Sequence, residues 1–241
     1  MTLGVLLPTS VSTSSTPAVG PPPAPAAGLL TPQILWPSLA RRGARPDLWQ
    51  PVDLGAFPDA QVINERRKRG EAVTSLPMFG KHVASAVDRV LVVDTYLLCG
   101  GERAEEEVLS WFPDSFEAKD VRIACGGLKQ SRSETLFTTK LADRATAINT
   151  RKASLGAPAT IIMLKTNLDP SSYPYVHDRF AVVDDELWHF GATVGGLHHG
   201  VNAATRGWNA VAVGAVNFFG EVWSQRARGG GVKTACNGGI R

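Results

Sequence analysis

Residues able to carry out chemistry are concentrated between positions 177 and 194, where the chain reads HDRFAVVDDELWHFGATV. His177 and Arg179 are two residues apart at the start of a predicted strand, so we expect their side chains on the same face of the sheet. Histidine attacks phosphorus or transfers protons near neutral pH. The planar guanidinium of arginine matches two phosphate oxygens at once. The pair therefore indicates phosphoryl chemistry.

The rest of this segment predicts a hairpin that returns small residues to the same place. Asp184 and Asp185, set between two apolar runs, are typical of a tight turn. Gly191 and Thr193 follow the second run, so we expect them near His177. A glycine lets a ligand approach the backbone closely. We predict that Gly191 and Thr193 contact the substrate.

The spacing of the segment resembles the phospholipase D motif, H-x-K-x4-D-x6-G-S-x-N. Three motif positions match in identity, namely His177, Asp184 and Gly191. Three differ, with Arg179, Ala192 and Val194 in place of lysine, serine and asparagine. The strand read as DRVLVVDTYL, at residues 88–97, is similar to the first strand of such domains. The resemblance covers about residues 84–223.

The resemblance implies a metal-free phosphodiesterase that needs no cofactor. In this family one histidine attacks phosphorus, a second protonates the leaving oxygen, and water releases the product. On this reading His177 is the nucleophile or the acid, Arg179 holds phosphoryl oxygens, and Asp184, counted with the catalytic set, fixes the hairpin through backbone N–H groups. Because the chain carries one motif and the mechanism needs two, we expect a homodimer.

The elements around the motif predict an α/β fold with a mixed, mainly parallel sheet flanked by helices. Strands and helices alternate from Ala84 onward, and the late hairpin adds antiparallel strands. The predicted strands are 90–93, 121–124, 161–164, 180–183, 187–190 and 211–213. The predicted helices are 102–112, 133–154, whose apolar stripe recurs at helical spacing, and one that begins at Phe218.

Composition divides the chain into four parts. Residues 1–32 are rich in Ser, Thr, Pro and Ala and predict a disordered tail. Residues 33–79 predict an irregular arm followed by a basic helix, residues 80–225 the α/β domain, and residues 226–241 a flexible tail. The basic helix contains the run Arg66, Arg67, Lys68 and Arg69. Such a run forms either a solvated helix face or a nucleic-acid contact.

The charge and the cysteine content of the chain restrict the metal sites and the cellular location that we predict for it. The net charge is +3 and the three cysteines show no metal-binding spacing, so we predict no metal site and a reducing, cytoplasmic location. No apolar run is long enough to cross a bilayer. Two further residues are predicted to contact substrate, His198 in a glycine-rich loop and Arg206 beside Trp208.

Three functions are consistent with these patterns. The first is a nuclease that cleaves nucleic acid through a phosphohistidine. The second is a module that has lost catalysis and binds nucleic acid or a protein partner, because the motif lacks its serine and asparagine. The third is a lipid phosphodiesterase, which the absence of an apolar lipid-facing segment disfavours.

Overall fold

The computed structural model describes residues 32–36, 50–51, 68, 77–99, 101–126, 131–166, 168, 176–196, 203–225 and 233–236. Within them the strands join in one sheet, in the order β2-β1-β8-β7-β6-β3-β4-β5-β9. Their bounds are β1 Gln33–Trp36, β2 Gln50–Pro51, β3 Arg89–Asp94, β4 Asp120–Cys125, β5 Ile161–Lys165, β6 Arg179–Val183, β7 Glu186–Phe190, β8 Ala204–Asn209 and β9 Lys233–Cys236.

The sheet is mixed around a parallel core. Strands β3, β4 and β5 pair in parallel, as expected where helices connect successive strands. Strand β3 also pairs antiparallel with β6, which continues through the hairpin to β7 and then β8. The predicted fold class, a mixed α/β sheet with a parallel core and flanking helices, is confirmed.

Helices cover both faces of the sheet. They are α1 Pro77–Ala84, α2 Glu102–Ser110, α3 Ser131–Ser154 and α4 Ala215–Ser224. The predicted stripe of α3 is wholly buried, as the 3.6-residue period requires: Phe137, Leu141, Ala145 and Ile148. Among the described residues, no helix is both long and apolar enough to span a membrane.

Alternation along the central strands divides the core in two. Val90 and Val92 of β3 face the layer of α1, α2 and α3, whereas Leu91 and Val93 face α4. Because both faces are covered, β3 is apolar at nearly every position, and a simple in-out pattern is absent. The polar residues of β3 are at its two ends, Arg89 and Asp94, and Asp94 is fully buried.

Two parts of the chain differ from the sequence prediction. Residues 211–213, predicted as a strand, lie in the turn before α4, and the preceding Ala204–Asn209 forms β8 instead. Residues 233–236, predicted within a flexible tail, form β9 and pair antiparallel with β5. The two strands that the sequence did not predict, β8 and β9, have no strong strand propensity of their own. Each forms because its backbone pairs with unsatisfied N–H and C=O groups of a neighbouring strand, and a local sequence pattern does not reveal this pairing.

The arm predicted over 33–79 also contributes to the sheet. Strand β1 pairs antiparallel with β8, and β2 pairs with β1. Helix α1 crosses the predicted boundary at residue 80 and buries Phe79 and Val83 in the core. The arm and the α/β domain therefore share one sheet within the described residues.

Candidate active site

His177 lies at the mouth of an open groove. The groove has a volume of about 490 Å³ and runs along β6 and β7 beside α4. Its floor includes Phe180, Leu187 and His189, and Phe218 forms part of its wall. His177 is exposed and lies in non-strand residues before β6. The imidazole is therefore accessible to a substrate in the groove.

A second histidine lines the same groove. His189 is paired across the hairpin with Phe180, so its side chain faces the α4 side of the sheet. Its Nε2 lies 4.0 Å from Oδ1 of Asp178, which also lines the groove. The sequence did not predict a role for His189, because it alternates with the large aromatics Trp188 and Phe190 along β7. Its position opposite Phe180 in the predicted hairpin was the signal that would have placed it on the same face of the sheet as that residue.

Arg179 begins β6 and lies on the other face. Its guanidinium carbon is 4.8 Å from the ring centroid of Tyr96, and its Nε is 3.6 Å from Oδ1 of Asp94. The expected common face of His177 and Arg179 assumed that the strand extends to His177. Because β6 starts at Arg179, the alternation ends there, and the structure places only His177 in the groove.

Asp94 organises the carboxyl end of β3. Its two carboxylate oxygens each accept a backbone N–H at 2.7 Å, one from Tyr96 and one from Val194. Burial raises the pKa of Asp94 to about 6, although the two N–H groups and the Arg179 charge lower it. This acid was missed from the sequence, where a carboxylate ending an otherwise apolar strand was the signal.

The loop after β7 returns to the same edge of the sheet as His177. Gly191 follows the last hairpin pair, is exposed, and donates its N–H to the carbonyl of Ala203 at 3.0 Å. Thr193 is buried, and neither residue lines the groove. Gly195 has φ of 77°, and a Cβ there would lie 2.6 Å from Cζ2 of Trp111. This loop is therefore fixed against α2 by packing.

Asp184 lies at the opposite end of β6 from His177. Seven residues of extended chain separate them, which is roughly 23 Å. One carboxylate oxygen accepts the backbone N–H groups of Asp88 at 2.7 Å and of Arg89 at 3.1 Å, and both oxygens are 3.2 Å from the N–H of Val87. The structure does not bring Asp184 to the site, and its role is to tie the hairpin turn to the start of β3.

Arg206 is engaged in the core and not at the groove. Its Nε and Nη2 each donate to a carboxylate oxygen of Glu186 at 2.7 Å, and its guanidinium carbon lies 4.3 Å from the ring of Trp188. Burial raises the pKa of Glu186, but bonds from His82 and Arg206 outweigh it and hold the pKa below its ordinary value. An inward-facing carboxylate on β7 requires a buried cation. This explains Arg206 without a substrate contact.

Several predicted contacts lie outside the described residues, namely Arg66, Arg67, Arg69 and His198. Of the basic run, Lys68 is described and is helical and exposed. Within the described part of the chain, no three His, Cys, Asp or Glu side chains are grouped to hold a metal ion.

Solved structures resemble this chain at low identity. No family model and no curated protein matches the sequence. A structure of TrmBL2, titled an archaeal chromatin protein with a novel mode of DNA binding, is 12% identical with a TM-score of 0.36 over 62% of this chain. This chain spans about half of TrmBL2, 48% of its length. NucT from Helicobacter pylori is 15% identical with a TM-score of 0.36, covering 71% of this chain and 94% of that one.

Proposed function

We propose that the protein is a metal-independent phosphodiesterase that cleaves nucleic acid through His177. The observation that carries the proposal is the exposed imidazole of His177 at the mouth of an open groove that contains a second histidine, His189. Phosphodiester cleavage by histidine needs a nucleophile on one side of phosphorus and a proton donor on the other. The basic run at residues 66–69 and the net charge of +3 favour a nucleic-acid substrate.

The reaction proceeds in two balanced steps. A ring nitrogen of His177 forms a bond to phosphorus while the bond from phosphorus to the leaving oxygen breaks, and an acid transfers a proton to that oxygen. Water then attacks phosphorus, the N–P bond breaks, and the proton lost by water returns to the acid. Arg179 lies at the same end of the sheet but on the other face from the groove, so it binds a phosphate that flanks the one being cleaved.

Two groups are candidates for the acid that protonates the leaving oxygen. The motif resemblance implies the His177 of a second chain across a homodimer. His189 is the alternative within one chain, favoured by its place in the groove and by its contact with Asp178, whose Oδ1 lies 4.0 Å from His189 Nε2. Activity that is lost in His189→Ala and retained by a monomer assigns the acid to His189. Activity that requires the dimer and survives His189→Ala assigns it to the second chain.

The test of the function is cleavage of single- and double-stranded DNA and RNA with EDTA present. Wild type is expected to cleave at least one of them, and His177→Ala none. Val87→Ala removes a 60% exposed side chain at the opposite edge of the sheet and serves as the matched control. A covalent complex with the oligonucleotide, resistant to denaturation and absent in His177→Ala, is expected for the phosphohistidine. Failure of a folded wild type to cleave any of the four substrates would exclude the proposal.

A second candidate is a module that binds nucleic acid without cleaving it. Val194, at the position of the family's asparagine, is fully buried, and its N–H is bound by Asp94. No side chain at that position is therefore available to a phosphate. Salt-dependent binding of oligonucleotides by a wild type that never cleaves them would favour this candidate.

A further inference from the structure

Tyr96, an exposed ring, stacks with the partly buried Arg179 at the carboxyl end of β3. The tyrosine is 53% exposed although it is a large aromatic residue. The guanidinium carbon of Arg179 lies 4.8 Å from its ring centroid, which is a cation–π contact. Among the described residues, no other ring packs on Tyr96 and no hydrogen-bond partner is present for Arg179 Nε. The tyrosine ring is thus presented to solvent, whereas Arg179 is mostly buried beside it, with a side chain that is 19% exposed and an Nε that is buried.

The pair is held in place by Asp94. This fully buried carboxylate accepts the backbone N–H of Tyr96 at 2.7 Å and lies 3.6 Å from Arg179 Nε. It therefore fixes the backbone that carries the ring and attracts the cation toward it. Side chains that are ordered before binding lose less conformational entropy when a ligand arrives. The arrangement is better suited to binding than a freely rotating tyrosine would be.

The two side chains match the two parts of a nucleotide. A nucleobase is a flat ring that stacks on tyrosine, and phosphate oxygens pair with a guanidinium. A base can stack on a protein ring only when it has left its own stack, as it has in a single strand. In a continuous duplex both faces of each base are covered by neighbouring bases. The pair therefore discriminates between the two forms.

We infer that Tyr96 and Arg179 form a nucleotide-binding platform that selects single-stranded nucleic acid. The inference rests on the proposed function in one respect, because it assigns the substrate class of that site. Arg179 is two residues from His177, so their Cα atoms lie within about 7 Å of each other, and a nucleic-acid strand held on the platform reaches the groove by crossing this edge of the sheet. The platform positions the strand, and the groove residues carry out the reaction.

The test measures binding with cleavage disabled. In a His177→Ala background, a fluorescein-labelled single strand of about 12 nucleotides and its blunt duplex are titrated by anisotropy. The single strand is expected to bind more tightly than the duplex. Tyr96→Ala should weaken single-strand binding roughly 10-fold and change duplex binding by less than about twofold, whereas Tyr96→Phe keeps the ring and should restore binding. Leu155→Ala, which removes another exposed apolar side chain, is the matched control.

Two results would overturn the inference. One is equal binding of the single strand and the duplex by the protein that carries Tyr96. The other is a Tyr96→Ala variant, with an unchanged circular dichroism spectrum, that binds the single strand as tightly as its parent. Because binding is read without turnover, the outcomes separate. Tyr96-dependent binding without cleavage by wild type refutes only the phosphodiesterase, and cleavage that ignores Tyr96 refutes only the platform.

Discussion

Replacement of Asp184 tests whether this motif residue acts in stability or in catalysis. Its carboxylate accepts three backbone N–H groups, at 2.7 to 3.2 Å, from the chain that enters β3. A hydrogen bond contributes about 1 kcal/mol net, so Asp184→Ala should lose about 3 kcal/mol. Asp184 has φ of 52°, and alanine disfavours this left-handed conformation by about 1 kcal/mol more. We therefore expect a loss of about 4 kcal/mol in the free energy of unfolding.

Asp184→Asn separates the two contributions. Asparagine tolerates positive φ and keeps one acceptor oxygen, so it should lose about 1 to 2 kcal/mol. Asp185→Asn, at the next position of the turn, is the control. Its carboxylate is 58% exposed and pairs with Arg89, and such surface pairs contribute about 0 to 1 kcal/mol.

The assay is urea denaturation followed by circular dichroism, together with kcat per folded molecule. We expect Asp184→Ala to lose the most stability, Asp184→Asn less, and the control Asp185→Asn the least. The kcat should stay close to wild type, because Asp184 lies on the order of 20 Å from His177. A variant that loses kcat by orders of magnitude while its unfolding midpoint is unchanged would refute the structural role.

Further predictions concern the loop after β7 and the acid at the end of β3. Gly195→Ala should destabilise the protein by about 3 kcal/mol or more, because its φ is 77° and the new Cβ would lie 2.6 Å from Trp111. Gly156→Ala is the control: its φ is 66° but the space around it is open, so it should lose only about 1 kcal/mol. Both values are read from thermal melts. Burial raises the pKa of Asp94 from its ordinary value of 3.8 to about 6, so the folded protein binds more protons between these values and ionisation of Asp94 lowers stability as pH rises. The stability of wild type relative to Asp94→Asn should fall by about 2 kcal/mol from pH 4 to pH 7. A difference that is flat or rises with pH would contradict the raised pKa of Asp94.

Local sequence patterns were sufficient to predict a helix or strand where the position of a residue in that element determines whether it is buried. The apolar runs of β3, β4 and β5 and the stripe of α3 predicted elements that the structure confirms within one or two residues at most ends. These signals are local because a covered sheet requires apolar strands and an amphipathic helix requires a 3.6-residue period. The hairpin was predicted for the same reason, from the paired aspartates between two apolar runs.

Contacts between distant residues could not be read in this way. The pairing of β9 with β5 joins segments about 70 residues apart. It pairs the backbone N–H and C=O groups at the edge of β5, and no local sequence pattern predicts this. The assignment of Arg206 to Glu186 depends on which residue of β8 faces inward after the bulge at β7. Both are properties of strand register, which is set by the assembled sheet.

The sequence by itself determined the fold class, the spacing of the motif and the nature of its reactive side chains, because these depend on composition and periodicity. Only the tertiary structure decided which side chains share a surface. It separated His177 from Arg179, placed His189 in the groove, and brought Asp94 next to Arg179. The physical reason is that strand alternation ends where the strand ends, and that the buried carboxylate of Asp94 accepts a backbone N–H from Val194, in a loop 100 residues further along the chain.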